Sequence, residues 1–572
     1  MITMRRGAPG PRRPGAPGRT TGPARPSRSA TPTAGPRGRG LARRLVSALT
    51  GLLLGVAGLL GLPQTAHAAS ASVSAYPVAS IYPASTDYTL TVNGTSVPVT
   101  KYSGYDIAQF ALGSGTATMA VTKINNTNIG SYSISPQKLG IVGSVSGPTL
   151  TFTVQKDAYL IVKVDGRPNL VIAADPAETN RPASSGTGIF NVQSAPYSAQ
   201  PNTGAYTTTP FQNALNDAAA WGSANGRQGT VYVPPGVYTL GNLYLRSNLA
   251  LYLAPGAVLR YTGDAAHYVV TGHKTSQGRD LTWFISTRYS STNIKIYGRG
   301  IIDGNGQAAL APSNLGVNLL APIYTSGFTV DGITFRESSS WAVIPLRSSD
   351  LTFRNIKLFN RFDMGENDGI DVMESTNVTV DHAIGIGLDD PFSTKTWPDV
   401  ADIYKSVPGT ARPLDNVTFN DLVSWTYCYG VKVGQGVYEP QNKVTFQHVV
   451  VYDAAVGIGV HHKYGTAAAT NLKFDDIDIE RLSFSNDGNR TWLAMMTGST
   501  AGIGPVTGVT ISNVRVRSAG TTAARINGLP GAPISGITLS HIVMPGTTTG
   551  ASTPGQLNLT NLSDYDGLTI TP

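Results

Sequence analysis

Residues 417–449 read VTFNDLVSWTYCYGVKVGQGVYEPQNKVTFQHV, and the hexapeptide that begins this stretch, VTFNDL, resembles the one that ends it, VTFQHV. Each copy alternates apolar and polar residues, as in Val444-Thr-Phe-Gln-His-Val, which predicts a strand with one buried face. Related hexapeptides occur eight times, with their third residues at positions 330, 353, 380, 419, 446, 474, 511 and 539. Intervals of 23 to 39 residues are typical of stacked coils with inserted loops, so the sequence predicts a β-solenoid.

The residues that precede the repeats extend this interpretation towards the N-terminus. Thr209-Pro-Phe-Gln-Asn-Ala-Leu predicts a short amphipathic helix, with Thr209 as its cap and Pro210 as its first residue. Residues 69–182 alternate apolar and polar over short runs bounded by turn residues, which predicts a β-sandwich. Residues 183–208 are rich in Ser, Gly and Pro and predict a linker. We therefore expect an all-β chain with a small β-sandwich followed by a parallel β-helix over residues 209–572.

Residues 1–68 differ from the rest of the chain in composition. They hold eleven arginines and no acid, so removing them changes the formal charge from +9 to −2. The basic balance is therefore no indication of a nucleic-acid partner. The apolar run 45–62, followed by Ala66-His67-Ala68, predicts a cleaved secretory signal, with a signal anchor as the alternative. We expect a secreted monomer without stable membrane association after processing.

Metal and cofactor signatures are weak in this sequence. The single cysteine, Cys428, excludes an intramolecular disulfide framework and a cysteine-based zinc site, and predicts a small buried residue. The pair His461-His462 lacks a third ligand at recognisable spacing. We expect neither a metal ion nor a cofactor.

Four aspartates lie within about one coil of the predicted helix: Asp368, Asp371, Asp389 and Asp390. Aspartate is common at the corners of any solenoid, which is the structural alternative. Here Asp389-Asp390 follows a buried apolar run, and Asp368 occupies the matching place one coil earlier. Because stacked strands lie about 4.8 Å apart, these carboxylates would share one patch. Burial and mutual repulsion would then separate their pKa values, as acid/base catalysis requires.

At these residues the chain resembles the β-helical glycoside hydrolases of family 28 (polygalacturonases) and family 49 (dextranases and isopullulanase). The family 28 pattern Asn-Thr-Asp-Gly, then Asp-Asp, then Lys is matched by Glu-Asn-Asp-Gly at 366–369, Asp-Asp at 389–390 and Lys395. The resemblance implies a right-handed β-helix that hydrolyses a polysaccharide with inversion. It implies Asp389 as the general acid and Asp368 with Asp390 as the bases that activate water. An inverting pair is about 6.5–9.5 Å apart.

Two departures from the family 28 pattern bear on the substrate. Tyr429 stands where polygalacturonases carry His, and Gly459-Val460-His461 stands where they carry Arg-Ile-Lys. An arginine clamp on a carboxylate is strong and geometrically specific, so its absence favours a neutral glycan. The N-terminal β domain is similar to that of family 49, which favours a dextranase-like or isopullulanase-like enzyme acting on an α-glucan. The alternative is a polygalacturonase-like hydrolase of pectic polysaccharide, with lysines replacing the clamp.

Polar and aromatic residues on the coils around the aspartates are candidates for sugar binding. They are Glu366, Asp371, Lys395, Trp397, Tyr429, Lys432, Gln435, His461, His462 and Lys463. Two other classes stay open at this point. A polysaccharide lyase shares the fold but needs calcium-binding carboxylates, and a non-catalytic carbohydrate-binding β-helix would not need the aspartate triad.

Overall fold

The computed structural model describes residues 69–398, 407–486 and 488–572. The predicted secretory signal lies outside the described residues, as does part of the insertion after Trp397. Strands dominate, which confirms the all-β prediction. The α-helices among the described residues are α1 (Thr208–Asn225) and α2 (Gly306–Leu310), with 3₁₀ turns at Gln137–Leu139, Ala265–His267 and Thr275–Gln277. None of these helices is long and apolar enough to cross a membrane.

The N-terminal domain is built from two sheets packed face to face. Its strands are β1 (Val73–Ala75), β2 (Tyr88–Val92), β3 (Thr95–Val97), β4 (Val99–Lys101), β5 (Tyr105–Leu112), β6 (Ala117–Lys123), β7 (Tyr132–Ser135), β8 (Ser144–Ser146), β9 (Thr149–Val154), β10 (Ala158–Val164) and β11 (Asn169–Pro176). One sheet has the order β1-β5-β11-β10-β7 with β4 on β5, and the other has the order β3-β2-β6-β9-β8. Alternating burial, as in the BeBeB pattern of β2, directs one face of each sheet into a shared apolar core.

The second domain begins with short strands and then changes to long ones. Its first half contains β12 (Ile189–Asn191), β13 (Gly229–Val233), β14 (Gly236–Leu240), β15 (Leu243–Leu245), β16 (Leu249–Leu253), β17 (Ala257–Tyr261), β18 (Gly272–Lys274), β19 (Arg279–Thr287), β20 (Thr292–Gly298), β21 (Ile301–Asp303), β22 (Leu315–Ala321), β23 (Ser326–Asp331), β24 (Thr334–Arg336) and β25 (Ser349–Phe359). The predicted linker, residues 183–208, contains strand β12. This strand pairs in parallel with β13 and therefore belongs to the first sheet of the β-helix. Helix α1 buries Phe211, Leu215 and Ala218 in the same core as the first coils.

The second half of the domain carries the long strands of the repeats. They are β26 (Ile370–Met373), β27 (Thr376–Gly387), β28 (Phe392–Thr396), β29 (Leu414–Thr426), β30 (Tyr429–Val437), β31 (Gln441–Asp453), β32 (Val456–Tyr464), β33 (Ala469–Ile479), β34 (Thr491–Thr500), β35 (Val506–Val516), β36 (Ala524–Asn527), β37 (Ile534–Val543), β38 (Leu559–Ser563) and β39 (Tyr565–Thr571). The odd-numbered strands from β27 to β39 continue a large parallel sheet, and the even-numbered ones form a second sheet. This is a right-handed parallel β-helix, as predicted.

The eight hexapeptides stack in the register that their alignment predicts. Val330 pairs with Phe353, which pairs with Val380, and the ladder continues through Phe419, Phe446, Phe474, Ile511 and Leu539. All eight side chains are fully buried. A slip of one residue would turn this apolar row towards solvent, so the interior of the helix fixes the register.

The sandwich packs against the flank of the β-helix through a mixed apolar and charged contact. Tyr105 and Tyr159 of the sandwich lie in one apolar cluster with Trp425 of the helix. Beside it the ammonium of Lys357 in β25 lies 2.7 and 2.8 Å from the two carboxylate oxygens of Asp175 in β11. Both residues are fully buried, so the two domains share an enclosed ion pair.

Candidate active site

Successive coils place the predicted catalytic aspartates at the start of the second sheet. Strands β26 and β28 pair in parallel with Ile370 beside Phe392. Just before them, the amide of Gly369 donates a 3.0 Å hydrogen bond to the carbonyl of Asp390. Asp368 and Asp390 therefore lie at the same level on adjacent coils, as the sequence spacing predicts.

Asn367 fixes the turn that carries the Asp389-Asp390 pair. Its side-chain oxygen accepts hydrogen bonds from the amides of Leu388 at 3.1 Å and Asp389 at 3.2 Å. On the other side, the Thr426 hydroxyl donates to the carbonyl of Asp389 at 2.8 Å. The backbone of the pair is therefore held from both neighbouring coils.

Asp390 is held in the ionised form by its partners. Lys432 donates to one carboxylate oxygen at 2.6 Å, and the amide of Tyr429 donates to the other at 3.2 Å. Burial alone would raise the pKa of Asp390, but the charges of Lys432 and Lys395 lower it below its usual value. The structure therefore agrees with an ionised Asp390.

Asp368 has a different environment. Lys395 donates to Asp368 at 2.5 Å and to Asp371 at 2.6 Å, so one ammonium serves two carboxylates. Burial and the charges of Asp371 and Asp389 raise the pKa of Asp368 well above its usual value, despite Lys395. Three carboxylates therefore compete for one cation, which is the physical reason for the raised pKa of Asp368.

Asp389 faces the cavity and is partly exposed. Burial and the adjacent charge of Asp390 raise the pKa of Asp389. An imbalance of charge explains these raised pKa values: five carboxylates lie at the cavity or directly behind it, with three ammonium groups. They are Glu366, Asp368, Asp371, Asp389 and Asp390, with Lys274, Lys395 and Lys432. The excess of acid favours retained protons. Glu366 and Asp389 are the partly exposed carboxyls, and of these two only Asp389 has a raised pKa and can deliver a proton.

A cavity of about 240 Å³ opens over these carboxylates. Its lining includes eight of the predicted site residues: Glu366, Asp368, Asp389, Asp390, Lys395, Trp397, Lys432 and Gln435. The rings of Trp397 and Tyr464 form an aromatic wall, with centroids 5.6 Å apart. The Asp368 oxygen that does not face Lys395 is enclosed and has no hydrogen-bond partner among the described residues. The arrangement combines a proton donor, an ionised carboxylate and a surface for a sugar ring.

Comparison with known proteins supports this chemistry. A family model described as "Glycosyl hydrolases family 28" matches residues 226–400. A "Probable polygalacturonase" of Vitis vinifera is 24% identical over 358 residues, which cover 59% of this chain and 70% of that protein. An "Endo-polygalacturonase" of Pectobacterium carotovorum subsp. carotovorum is 23% identical over 352 residues, covering 55% of this chain and 85% of that protein. The chain is a glycoside hydrolase.

Among solved structures, the hydrolase is similar to Dex49A from Penicillium minioluteum, with a TM-score of 0.52 and 13% identity. The match covers 86% of this chain and 94% of that chain, and at this identity it shows the fold alone. Together the matches support a place in the clan of families 28 and 49, as the sequence predicted. They do not test the predicted likeness of the sandwich to a family 49 domain.

Five of the predicted site residues do not line the cavity of the hydrolase: Asp371, Tyr429, His461, His462 and Lys463. Asp371 lies behind Lys395 and accepts a hydrogen bond from Ser393. His462 is buried, with its ring bonded to the carbonyl of Ala467 at 2.7 Å. Tyr429 is enclosed in an apolar cluster. For these three the expectation of sugar contact is corrected, because the neighbouring coils cover their side chains.

Four lining residues of the hydrolase were not predicted from the sequence: Lys274, Ser276, Trp341 and Tyr464. Lys274 forms an ion pair with Glu366. The ammonium groups of Lys274 and Lys395 each lie 4.1 Å from the ring centroid of Trp341, a cation–π distance. Lys274, Ser276 and Trp341 precede the aspartate motif of residues 366–395 and carry no repeat signal. Tyr464 directly follows the predicted run 461–463 and could have been included on that ground.

Two clusters of the hydrolase have enough ligand atoms to be tested as cation sites. Oxygens of Glu366, Asp368 and Asp389 lie within 4.8 Å of one another, as do atoms of Asp389, Asp390 and Cys428. Lysine ammonium groups already pair with Asp368 at 2.5 Å and with Asp390 at 2.6 Å, so at least one carboxylate of each cluster is committed to a lysine. Burial and the charges of Asp390 and Asp389 raise the pKa of Cys428 well above its usual value, which disfavours the thiolate that binds metals.

The position of the missing arginine clamp is filled in the hydrolase. Gly459 lies next to Lys432 on the following coil. A Cβ atom at Gly459 would come within 2.3 Å of the Tyr429 ring. Tyr429 itself lies under the Lys432 ammonium, 4.5 Å from it. The two departures from the family 28 pattern are therefore one structural change, since the tyrosine ring occupies the space above the glycine.

Proposed function

We propose that the hydrolase cleaves a pectic polysaccharide in the manner of a polygalacturonase. The observation that carries the proposal is the cavity in which a partly exposed Asp389 with a raised pKa faces an Asp390 kept ionised by Lys432. Two carboxyl groups with opposite protonation at one site are what glycosidic hydrolysis by acid and base requires.

In the proposed mechanism Asp389 donates its proton to the glycosidic oxygen as the bond to the leaving sugar breaks. Asp390, which Lys432 keeps ionised, accepts a proton from the water that attacks the anomeric carbon. The raised pKa of Asp368 disfavours the ionised form, so Asp368 does not serve here as the second base that the resemblance implies. The unpartnered oxygen of Asp368 is an acceptor for that water. Lys395 and Lys432 hold the carboxylates in place, and the wall of Trp397 and Tyr464 provides a stacking surface for a sugar ring.

The choice of pectic substrate rests on sequence likeness and on charge. The matching family model and the relatives named above favour galacturonate, whereas the likeness to Dex49A extends to the fold alone. Lys395 and Lys432 are already paired with aspartates, so neither is free to bind a substrate carboxylate. Lys463 is partly exposed beside Tyr464 and forms no ion pair within the described ranges. It is therefore a better candidate than Lys395 or Lys432 for binding the substrate carboxylate.

A neutral α-glucan is the second candidate, and one observation favours it. The space above Gly459, where the family 28 clamp would lie, is taken by the Tyr429 ring. A neutral sugar has no carboxylate for an arginine to bind, so the absence of the clamp would not weaken its binding.

Release of reducing sugar from polygalacturonate, dextran and pullulan at matched concentrations tests the two candidates. We expect the highest kcat/KM on polygalacturonate, and no release by Asp389→Asn, which serves as the control for contaminating activity. Higher kcat/KM on dextran or pullulan would replace the pectic proposal by the neutral one. Activity on none of the three would contradict both.

Inversion at the anomeric carbon is also proposed, on the basis of the resemblance. Oxygens of Asp368 and Asp389 lie within 4.8 Å, closer than the about 6.5–9.5 Å expected for an inverting pair. The separation is short because the two residues lie on adjacent coils. The proposal of inversion therefore rests on the resemblance and not on this distance. NMR of fresh reaction mixtures should show the inverted anomer first, and a retained first product would reassign Asp368 or Asp390 as a nucleophile.

We further propose that the protein is secreted after removal of residues 1–68. The apolar run 45–62 and the Ala66-His67-Ala68 pattern support this. Mass spectrometry of protein from the culture medium should find an N-terminus close to Ala69. An intact N-terminus would contradict processing.

A further inference from the structure

The outer face of the second sheet continues for three coils beyond the catalytic cavity. In β30, β32, β34 and β36 the residues that face the core include Val433, Val460, Met495 and Ile526. The residues just before them form one ladder of paired positions: Lys432, Gly459, Ala494 and Arg525. Because side chains alternate across a strand, Arg525 projects from the same face as Lys432.

The charge on this face has one sign. The four strands contain Lys432, Lys463 and Arg525, and they contain no aspartate or glutamate. Lys432 is committed to Asp390. Lys463 and Arg525 form no ion pair with any residue that the structure describes. The face is therefore positively charged beyond the cavity and lacks an internal counter-charge.

Arg525 has unused hydrogen-bonding capacity. Its Nε atom is enclosed and has no hydrogen-bond partner among the described residues. The contact of its guanidinium is with Met496, at 3.6 Å between Nη1 and Sδ. A guanidinium offers five N–H donors in a planar fork. Because Nε is enclosed, the donors that a ligand can reach are those on the Nη nitrogens of this partly exposed residue. A planar anion is the ligand that this fork binds best.

The residues paired between the cavity and Arg525 on these strands are uncharged. Gly434 pairs with His461 and His461 with Met496, one coil after another. Burial and the charge of Lys432 lower the pKa of His461 to about 3, so its ring is neutral at ordinary pH. Met496 contacts Arg525 from the catalytic side. A polymer lying along the helix axis would cross these side chains without meeting a negative charge.

We propose that Arg525 forms a distal subsite that binds the carboxylate of a uronic acid unit several sugars away from the cleaved bond. The inference rests on the proposed action on pectic polysaccharide. Three strand spacings separate Lys432 from Arg525, or about 14 Å, so only chains of several sugars bridge the two. Arg525 then contributes to the recognition of long acidic substrates and takes no part in bond cleavage.

Steady-state kinetics of Arg525→Gln on digalacturonate and on polygalacturonate tests the subsite. We expect KM on polygalacturonate to rise about tenfold, since a lost charge-assisted bidentate contact is of that size, with kcat unchanged. Digalacturonate should show no change, because it does not reach Arg525. Arg525→Lys should give an intermediate KM, because lysine keeps the charge and loses the fork.

Arg515→Gln is the matched control, since Arg515 is exposed on β35 of the other sheet. Equal effects on short and long substrates, or no effect of Arg525→Gln on polygalacturonate, would overturn the subsite. Calorimetric binding of polygalacturonate to Asp389→Asn, with and without Arg525→Gln, separates this outcome from failure of the proposed function. If Arg525→Gln weakens binding while the native enzyme cleaves only a neutral glucan, the subsite stands and the proposed substrate does not. If Asp389→Asn binds no polygalacturonate, both are overturned.

Discussion

At the scale of the single residue, Asp389 is the group that loses its proton in the proposed mechanism. Asp389→Asn keeps the shape of the side chain and removes that proton. We expect kcat to fall by about 10²–10⁴, with an unchanged circular dichroism spectrum and Tm. Asp363→Asn is the control, because Asp363 is an exposed acid whose ion pair among the described residues is with Arg361. Similar loss of activity in both variants would argue against a special role for Asp389.

Lys432 controls the pH dependence at the same scale. Asp390 must be ionised to accept a proton, so activity is lost as the pH falls through the pKa of Asp390. Lys432 lowers that pKa, and Lys432→Met should therefore move the acidic limb of the kcat/KM profile to higher pH. On the alkaline limb kcat/KM falls because Asp389 loses the proton that it donates in the reaction. The raised pKa of Asp389 places this limb at higher pH than an ordinary aspartate would. The apparent values belong to the coupled group of carboxyls.

Lys432→Arg keeps the positive charge beside Asp390 and serves as the control for this shift. Its acidic limb should stay close to that of the native enzyme. If Lys432→Met leaves the acidic limb in place while the protein remains folded, Asp390 is not the group that titrates there.

At the scale of the structural element, the aromatic ladder inside the helix joins successive coils. Phe446 is fully buried, with ring centroids 4.6 Å from Phe419 and 5.4 Å from Phe474. Phe446→Ala should lower the free energy of unfolding by about 3–5 kcal/mol, as measured by urea denaturation. Lys473→Ala, on an exposed position of β33, should change it by no more than about 0.5 kcal/mol. Equal losses in the two variants would contradict the packing role of the ladder.

The register of the coils was predictable from the sequence because burial allows one alignment of the hexapeptides. The same alignment brought Asp368 to the level of Asp390. It could not show which polar side chains the next coil covers, and for that reason Tyr429 and His462 were expected in the cavity. Lys274 and Trp341 reach the site from segments outside the hexapeptide pattern, so periodicity gave no signal for them.

At the scale of the whole molecule, the ion pair of Lys357 and Asp175 joins the sandwich to the β-helix. Asp175 also accepts hydrogen bonds from Tyr76 at 3.2 Å and Tyr159 at 2.9 Å. Lys357→Met would leave this carboxylate buried without its closest cation. We expect a loss of about 3–5 kcal/mol in the free energy of unfolding. Urea denaturation of the variant measures it.

Asp175→Asn combined with Lys357→Met removes both charges of this pair. The double variant should be more stable than Lys357→Met alone, since no unpaired carboxylate remains. Losses that simply add would show that the two residues do not interact.

The tyrosine ring that lies over Gly459 also constrains how this enzyme can change in evolution. An arginine introduced at 459 would collide with Tyr429, so that step alone should produce a misfolded and inactive protein. Replacement of Tyr429 by histidine must come first or at the same time. The two positions are therefore epistatic, because the effect of an arginine at 459 depends on the residue at 429.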